Sequence, residues 1–145
     1  MAVNIVAVTV NYRTPHLVIE LIESIVKAGS ILRLIVVDNY SEDGSIEAIH
    51  RFLKKKEIHW VALIPVMSNG GFAAGNNVAF RHIAESGWDY DYLWLLNPDT
   101  RIFVSSADNL VKPMIKNNYQ ICGSRLEDED GTPQISAFNF PTLIG

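Results

Sequence analysis

The chain has 145 residues, which suits a single domain, and 48% hydrophobic with 19% charged residues is ordinary globular composition. Its formal net charge of -4 at pH 7 argues against a nucleic-acid-binding surface. One cysteine, Cys122, excludes an internal disulfide and a cysteine zinc site, and its apolar neighbours predict a buried position. No apolar stretch approaches the roughly 18 residues of a membrane span, and the amino terminus does not resemble a signal peptide. We therefore expect a cytoplasmic location, either free or peripheral to the inner membrane face.

Short apolar runs alternate with amphipathic stretches along the chain. The apolar runs predict five strands, at residues 5–10, 31–37, 58–66, 92–96 and 119–122. The amphipathic stretches predict four helices: Pro15 to Gly29 with Thr14 as cap, 46–56, one through Val78 to Gly87, and one from Ser105 or Ser106 through Ile115. Pro65 indicates an edge strand or a strand end, and 128–131 is typical of a turn. The alternation predicts an α/β fold with a largely parallel sheet and helices on both faces.

The loops that follow the strands form the candidate site, because ligands of such folds bind at the carboxyl ends of the strands. The loop after the first strand, residues 11–15, contains no glycine, which excludes a dinucleotide fingerprint and a phosphate-binding P-loop. The loop after the second strand offers Asp38 and Asn39. Asp38 can accept hydrogen bonds from a ribose hydroxyl or a base nitrogen, or it can cap a helix or turn.

The loop after the fourth strand begins with Asn97-Pro98-Asp99. Two residues along an extended chain restore the same side, so Asn97 and Asp99 can point one way, roughly 6–7 Å apart. A carboxylate beside an amide suits Mg²⁺ or Mn²⁺, which take oxygen ligands and keep waters that substrate phosphates replace. With one carboxylate, we expect weak metal affinity in the absence of a diphosphate. The alternative is a type I turn with proline at its second position.

Residues 69–77 are rich in glycine and open the third predicted helix. The free amides of a helix start can face a phosphate group. The same residues suit a tight turn, in which Ala74 and Gly75 let the helix pack closely on the sheet. The two interpretations are compatible.

Four segments together resemble a known family. VTVNY at 8–12, VVDNYS at 36–41, NGGFAAGNN at 69–77 and LLNPDT at 95–100 occur in the order and spacing of family 2 glycosyltransferases. Residues 122–126, 130–131 and 140–141 are similar to the rhamnosyltransferase-like branch of that family. The resemblance covers essentially the whole chain. It implies a truncated GT-A fold, a Rossmann-like three-layer α/β/α arrangement with a mostly parallel sheet.

The resemblance also implies that residues 1–145 form one domain, the donor-binding part of a glycosyltransferase that uses a nucleotide-diphospho-sugar. The implied donor-site positions are Thr9, Asn11 and Tyr12 for the base, Asp38 for the base or ribose, Asn69, Gly71 and Asn77 for the nucleotide and phosphates, and Asn97 beside the metal ligand Asp99. Asn97 replaces the first acid of the family's metal motif, which weakens its implied ribose or metal role. The implied metal is Mg²⁺ or Mn²⁺.

The implied reaction is inverting transfer of a sugar, from a dTDP- or UDP-sugar, to a hydroxyl of a glycan or lipid-linked acceptor, in polysaccharide or cell-surface glycan synthesis. The family's general base is an Asp or Glu that follows the metal motif well along the chain. We therefore expect that base beyond Gly145, and we expect the chain to bind a donor with little or no turnover. The acidic residues at 128–130 are better interpreted as a solvated turn.

Two other functions stay open from the sequence. A nucleotidyltransferase has a related sheet but normally a glycine-rich loop after its first strand, where this chain has residues 11–13 without glycine. A non-catalytic nucleotide-binding or assembly module is the second alternative. We also expect exposed apolar surface on part of the sheet or around Phe138 and Phe140, and self-association into a homo-oligomer through it.

Overall fold

The computed structural model of the chain describes residues 3–31, 33–128 and 130–135. The chain divides into two compact units, residues 1–106 and 107–145. The first unit contains β1 (Ile5–Asn11), α1 (Pro15–Ala28), β2 (Arg33–Asp38), α2 (Ser45–Lys55), β3 (Val61–Pro65), α3 (Gly71–Ser86) and β4 (Tyr92–Leu96). Helix α4 (Ser106–Asn117) begins at the boundary and is followed by an isolated antiparallel bridge between Glu127 and Pro133.

The four strands form one parallel sheet in the order β3-β2-β1-β4. The pairs at its carboxyl edge are Thr9 with Leu96, Asn11 with Asp38, and Asp38 with Pro65. The carboxyl ends of all four strands therefore share one edge of the sheet. The α/β prediction is confirmed, and Pro65 ends an edge strand as its position indicated.

Helices cover both faces of the two central strands. The core beneath α1 and α2 contains Ala7, Leu34, Val36, Leu21, Ile22 and Ile49, and the core beneath α3 contains Val6, Val8, Ile35, Val37, Ala79 and Ile83. Successive residues of a strand point to opposite faces, so a strand covered on both sides must be apolar along its whole length. This is why β1 and β2 are continuous apolar runs.

Helix α1 begins and ends as its sequence predicts. Pro15 occupies the first helical turn after Thr14, where its missing amide hydrogen costs nothing. Gly29 follows the last turn with φ 64°, a left-handed conformation that glycine adopts without steric cost, and its amide donates to the Ile25 carbonyl. These boundaries place the loop of residues 12–14 at the carboxyl edge of the sheet.

Residues 119–122 do not form the predicted fifth strand. Asn118 adopts φ 55° and the Tyr119 amide donates to the Met114 carbonyl, so the chain turns back at the end of α4. Ile121 is 90% exposed, and Cys122 is exposed rather than buried. An apolar run specifies a strand only where another strand supplies backbone partners, which this segment does not have among the described residues.

The turn predicted at 128–131 is confirmed by the Gly131 amide, which donates to the Asp128 carbonyl at 2.9 Å. The described residues leave part of the sheet uncovered, as predicted, because Leu93 and Leu95 of β4 are 38% and 48% exposed. Phe138, Phe140 and Glu129 lie outside the described residues. Within the described part of the chain, no helix is both long enough and apolar enough to cross a bilayer.

Candidate functional site

A buried network of polar side chains joins the ends of β1 and β2. Asn11 and Asp38 are register partners, and Asn11 Nδ2 donates to Asp38 Oδ1 at 2.7 Å. Ser41 donates twice to the same carboxylate, from its hydroxyl to Oδ1 at 2.6 Å and from its amide to Oδ2 at 3.0 Å. All three residues are at most 1% exposed. The Asp38 carboxylate is therefore held in one orientation by neutral donors.

Asn11 also fixes the loop that follows it. Its Oδ1 accepts hydrogen bonds from the Thr14 amide at 3.2 Å and from the Thr14 hydroxyl at 3.1 Å. Its Nδ2 makes a second, longer contact of 3.2 Å to Ser41 Oγ. With these partners, the Asn11 side chain connects the start of α1 to the loop after β2.

Tyr12 and Arg13 lie on the exposed side of this network. Tyr12 is 44% exposed, and the Arg13 guanidinium carbon lies 5.1 Å from the centroid of its ring. Arg13 contacts Ser41 twice, through its amide to Oγ and through Nε to the backbone carbonyl, each at 3.0 Å. The loops after β1 and β2 are thus joined by the part-buried contacts of Arg13 as well as by the buried Asn11–Asp38 bond.

The glycine-rich segment before α3 is joined to the same group of loops. Asn39 Nδ2 donates to Asn69 Oδ1 at 2.8 Å, and the Asn39 amide donates to the Asn11 carbonyl. The Gly71 amide also donates to Asn69 Oδ1, at 2.9 Å, and Gly71 has φ 83°, where a side chain would be strained. The loops after β1, β2 and β3 therefore form one connected rim.

The packing of α3 on the sheet depends on Gly75. A Cβ atom there would lie 2.8 Å from Cγ1 of Val10, closer than carbon atoms approach. The predicted close approach at Gly75 is confirmed. Of the two following asparagines, Asn76 is buried with Nδ2 donating to the Phe72 carbonyl, and Asn77 is exposed.

Thr9 occupies a different environment from the other predicted site residues. It is fully buried within β1, and its hydroxyl has no hydrogen-bond partner among the described residues. It lies two residues before the carboxyl end of the strand, beside Leu96 of β4. Its side chain therefore does not reach the surface of the rim.

The segment after β4 forms an exposed turn. The Thr100 amide and hydroxyl both donate to the Asn97 carbonyl, at 3.2 and 2.7 Å. Asn97 and Asp99 are both exposed. The turn interpretation of Asn97-Pro98-Asp99 is confirmed, and it leaves both side chains facing solvent.

Buried residues hold this turn at both ends. Leu96 and Ile102 are 4% and 6% exposed and belong to the core beneath α1. The Ile102 amide donates to Ser24 Oγ at 3.1 Å, and Arg101 forms a salt bridge with Glu20 of α1. The Asp99 turn is therefore a short exposed segment whose two ends are held in the core by Leu96 and Ile102.

The donor set of the turn fits a hard divalent cation only in part. Asp99 and Asn97 offer oxygen ligands of the type that Mg²⁺ and Mn²⁺ prefer. Within the described residues, however, no group of three His, Cys, Asp or Glu side chains is placed to hold a metal ion. A bound metal would need further oxygens from a ligand.

A cleft of about 500 Å³ opens beside the network, between the loop after β2 and the end of β3. It is lined by Asp38 and by residues 40–42, 44–47 and 65–67, which include two more carboxylates, Glu42 and Glu47, and none of its described lining residues is basic. A hydrogen bond to Glu42 raises the pKa of Tyr40 above its usual value. The cleft thus favours neutral or hydrogen-bond-donating groups over anions.

The start of α2 is fixed by Asp43. Its Oδ1 accepts hydrogen bonds from both the amide and the hydroxyl of Ser45. These bonds, chiefly the one from the hydroxyl, lower the pKa of the Asp43 carboxyl. The Asp43 side chain therefore accepts a hydrogen bond from a free amide of the first helical turn, as a capping residue does, although Gly44 occupies the N-cap position.

Two residues of the rim, Arg13 and Ser41, were not among the predicted site residues, whereas Asn39 was named with Asp38 in the loop after the second strand. Ser41 follows Asp38 by three positions, a spacing typical of a side chain that folds back on a turn. Nothing in the sequence indicates that Arg13 would reach the Ser41 carbonyl.

A parallel α/β sheet with polar loops joined along its carboxyl edge defines this chain as a domain of the Rossmann-like class. The model of the family described as Glycosyl transferase family 2 matches residues 5–140. The chain belongs to that family. No curated protein sequence matches it with significance.

Two of the solved proteins with a similar structure are a mannosyltransferase and S. aureus TarS. The mannosyltransferase PcManGT from Pyrobaculum calidifontis, in complex with GDP-Man and Mn²⁺, matches 79% of this chain at 19% identity with a TM-score of 0.67. S. aureus TarS 1-349 matches 79% at 17% identity, and its UDP complex at 16%, each with a TM-score of 0.60. The chain spans about a third of their lengths, 33% and 32%. These neighbours are GT-A glycosyltransferases, and the predicted GT-A fold is confirmed.

Proposed function

We propose that this chain binds the nucleoside diphosphate part of a sugar donor and serves a glycosyltransferase that transfers the sugar to an acceptor hydroxyl. The observation that carries the proposal is the buried Asn11–Asp38–Ser41 network at the carboxyl edge of a parallel sheet. Sheets of this kind bind ligands at that edge. Family membership and neighbours whose complexes contain GDP-Man or UDP support a donor of this class.

Asp38 and Tyr12 would bind the nucleoside. A buried carboxylate held by neutral donors keeps its negative charge directed to one place, where it can accept hydrogen bonds from a base or ribose. Tyr12 offers a half-exposed ring on which a base can stack. Asn11 would act indirectly, by holding Asp38, and Thr9 would support the strand beneath the site.

The start of α3 would bind the phosphates. The amides of a helix's first turn have no partners within the helix, and they carry partial positive charge. Asn69 and Gly71 fix where this helix begins, and Asn77 lies exposed one and a half turns further on. The segment would therefore face the negative diphosphate without needing a basic side chain.

Asp99, with Asn97 beside it, would hold Mg²⁺ or Mn²⁺ together with the diphosphate oxygens. When bound, the ion would offset the negative charge that grows on the leaving diphosphate. An exposed turn held at both ends by Leu96 and Ile102 keeps the Asp99 backbone in place while its carboxylate stays accessible. The Mn²⁺ in the PcManGT complex supports a metal of this kind.

The remaining details extend the same proposal. The acceptor hydroxyl attacks the anomeric carbon opposite the diphosphate, the new C–O bond forms as the old one breaks, and a carboxylate that acts as general base takes the proton. The donor is a dTDP- or UDP-sugar, and the acceptor a glycan or lipid-linked sugar of polysaccharide or cell-surface glycan synthesis. Residues 1–145 are the donor-binding domain of a cytoplasmic enzyme of the rhamnosyltransferase-like branch.

Isothermal titration calorimetry with UDP, dTDP and GDP, each with and without Mn²⁺, tests the proposal. We expect one diphosphate to bind, about tenfold more tightly with Mn²⁺, which corresponds to about 1.4 kcal/mol. Asp99→Asn should abolish the Mn²⁺ dependence, whereas Asp89→Asn, an exposed aspartate that precedes β4, should leave it unchanged. Absence of binding to all three diphosphates would contradict the proposal and favour a non-catalytic assembly module.

A further inference from the structure

Arg13 adopts a backbone conformation that is unfavourable for its residue type. Its φ is 59°, in the left-handed region, where a non-glycine side chain crowds its own backbone. Such conformations persist only where surrounding contacts determine them, and they concentrate at ligand sites. The contacts of Arg13 therefore indicate which part of the molecule its unfavourable backbone conformation supports.

Those contacts are directed to Ser41 in the loop after β2. The Arg13 amide donates to Ser41 Oγ, and Nε donates to the Ser41 carbonyl, both at 3.0 Å. Ser41 in turn donates to both oxygens of Asp38. One arginine thus connects the exposed loop after β1 to the buried carboxylate at the end of β2.

The same guanidinium lies against Tyr12. Its central carbon is 5.1 Å from the ring centroid, within the range of a cation–π contact. Because Nε is held by the Ser41 carbonyl, the guanidinium has a fixed position, and the ring that packs on it is held as well. Tyr12 still keeps 44% of its surface exposed. An aromatic ring that is both held and exposed is suited to stacking with a planar ligand.

We propose that Arg13 is a positioning residue of the donor site, which holds the Tyr12 ring ready for stacking against the nucleobase. This inference rests on the proposed function, since it takes the base of the donor as the planar ligand. Arg13 acts through Tyr12 and does not itself contact the diphosphate. Its loss should therefore weaken recognition of the base and leave recognition of the phosphates unchanged.

The fold provides a matched control. Arg33, at the start of β2, packs in the same way on Trp88, with its guanidinium carbon 4.5 Å from the ring centroid. Arg33 pairs with Val6 near the amino ends of the strands, whereas the donor site lies at the carboxyl edge. Arg33→Gln removes the same charge and the same kind of contact as Arg13→Gln, away from the proposed site.

Calorimetry with the diphosphate that the wild-type chain binds, in the presence of Mn²⁺, tests the proposal. We expect Arg13→Gln to weaken binding about fivefold to tenfold, and Arg33→Gln to change it less than about twofold. Inorganic pyrophosphate should bind the wild-type chain and Arg13→Gln equally. Equal binding of the nucleoside diphosphate by wild type and Arg13→Gln would overturn the positioning role.

A double-mutant cycle separates action through Tyr12 from general loosening of the loop. Tyr12→Leu should weaken binding about tenfold, and adding Arg13→Gln should then cost less than about twofold more. An undiminished effect of Arg13→Gln in the Tyr12→Leu background would contradict action through the ring. If Arg13→Gln does not fold, Arg13→Asn replaces it, because asparagine tolerates the left-handed conformation.

Hydrogen exchange in the nucleotide-free chain tests the positioning role apart from the proposed function. The amides of residues 13 and 41 donate to Ser41 Oγ and Asp38 Oδ2, so both should lose protection in Arg13→Gln. Amides of the β1 core should be unaffected. A wild-type chain that binds no diphosphate would contradict the proposed function, and unchanged protection at both amides would overturn the positioning role.

Discussion

The loops after β1 and β2 differ from the turn after β4 in how their polar groups are held. Asn11, Asp38 and Ser41 are buried and hydrogen-bonded to one another. Asn97 and Asp99 are exposed, and the turn that carries them is closed by bonds to the Asn97 backbone carbonyl. One region therefore fixes side chains, and the other fixes only the backbone.

This difference assigns the two regions separate tasks in the proposed function. A fixed carboxylate loses little conformational entropy when a base or ribose binds to it, which favours selective recognition. The exposed Asp99 carboxylate would be held in one orientation only when a metal and a diphosphate bind together. Within the described residues, no other carboxylate or imidazole completes a metal cluster with it. Changes to the buried groups of the first region should lower stability, and changes to the exposed groups of the second should lower ligand binding without lowering stability.

Asp38→Ala should have the largest effect on stability. It removes three hydrogen bonds from a buried group, which leaves the Ser41 hydroxyl and amide without their acceptor and Asn11 Nδ2 with only its longer contact to Ser41 Oγ. The expected loss in the free energy of unfolding is about 3 kcal/mol, measured by urea denaturation. Asp99→Ala is the matched control and should change the same quantity by less than about 0.5 kcal/mol. Equal stabilities of the two variants would remove the distinction between the regions.

Gly75→Ala should also destabilise the fold, by disturbing how α3 sits beside the rim. The new methyl group would lie 2.8 Å from Val10 Cγ1, so the helix or the strand must move. We expect a loss of about 1–2 kcal/mol in thermal or urea unfolding, although alanine favours a helix more than glycine does. Gly123→Ala, where a Cβ meets no atom within 4 Å, should be nearly neutral. A more stable Gly75→Ala variant would show that the close approach is not needed.

Asp99→Asn should affect ligand binding and little else. The loss of one charged oxygen ligand should weaken Mn²⁺-dependent nucleotide binding about tenfold, or about 1.4 kcal/mol. The urea midpoint should stay at its wild-type value because the side chain is exposed. A fall in stability without a change in affinity would indicate that the turn is only structural.

The smallest effect concerns the pH dependence of stability at the start of α2. Hydrogen bonds from Ser45 lower the folded-state pKa of Asp43 below its ordinary value of 3.8. The stabilisation is therefore complete above that value and is lost as the pH falls through the lower, folded-state pKa. The difference in unfolding free energy between wild type and Asp43→Ala should be constant from pH 7 to about pH 5 and shrink below about pH 4. A difference that grows on acidification would contradict this assignment.

The sequence predicted the sheet well because burial on both faces leaves a clear signal. The apolar run of β1 and the proline and glycine that bound α1 follow from local chemistry. The run at 119–122 has the same apolar character and is not a strand, because pairing depends on distant residues that a local pattern does not contain.

The candidate site was predicted less completely than the fold. Asp38 and Asp99 stand out by type and position, but the contacts of Arg13 and Asn39 join loops that are 28 and 30 residues apart in the chain. Such contacts arise from strand order, which places β2 between β1 and β3. Asn97-Pro98-Asp99 forms the turn that one interpretation predicted, and its role as a metal site stays a prediction.

Amide chemical-shift mapping of the ¹⁵N-labelled chain, with a nucleoside diphosphate and first Mg²⁺, then Mn²⁺, tests the central claim most directly. We predict that shifts occur at residues 11–13, 38–41 and 69–72, and that paramagnetic broadening by Mn²⁺ is centred on 97–100. These segments lie at the carboxyl ends of the four strands. Absence of shifts, or shifts confined to the amino ends of the strands near Arg33 and Asp91, would contradict it.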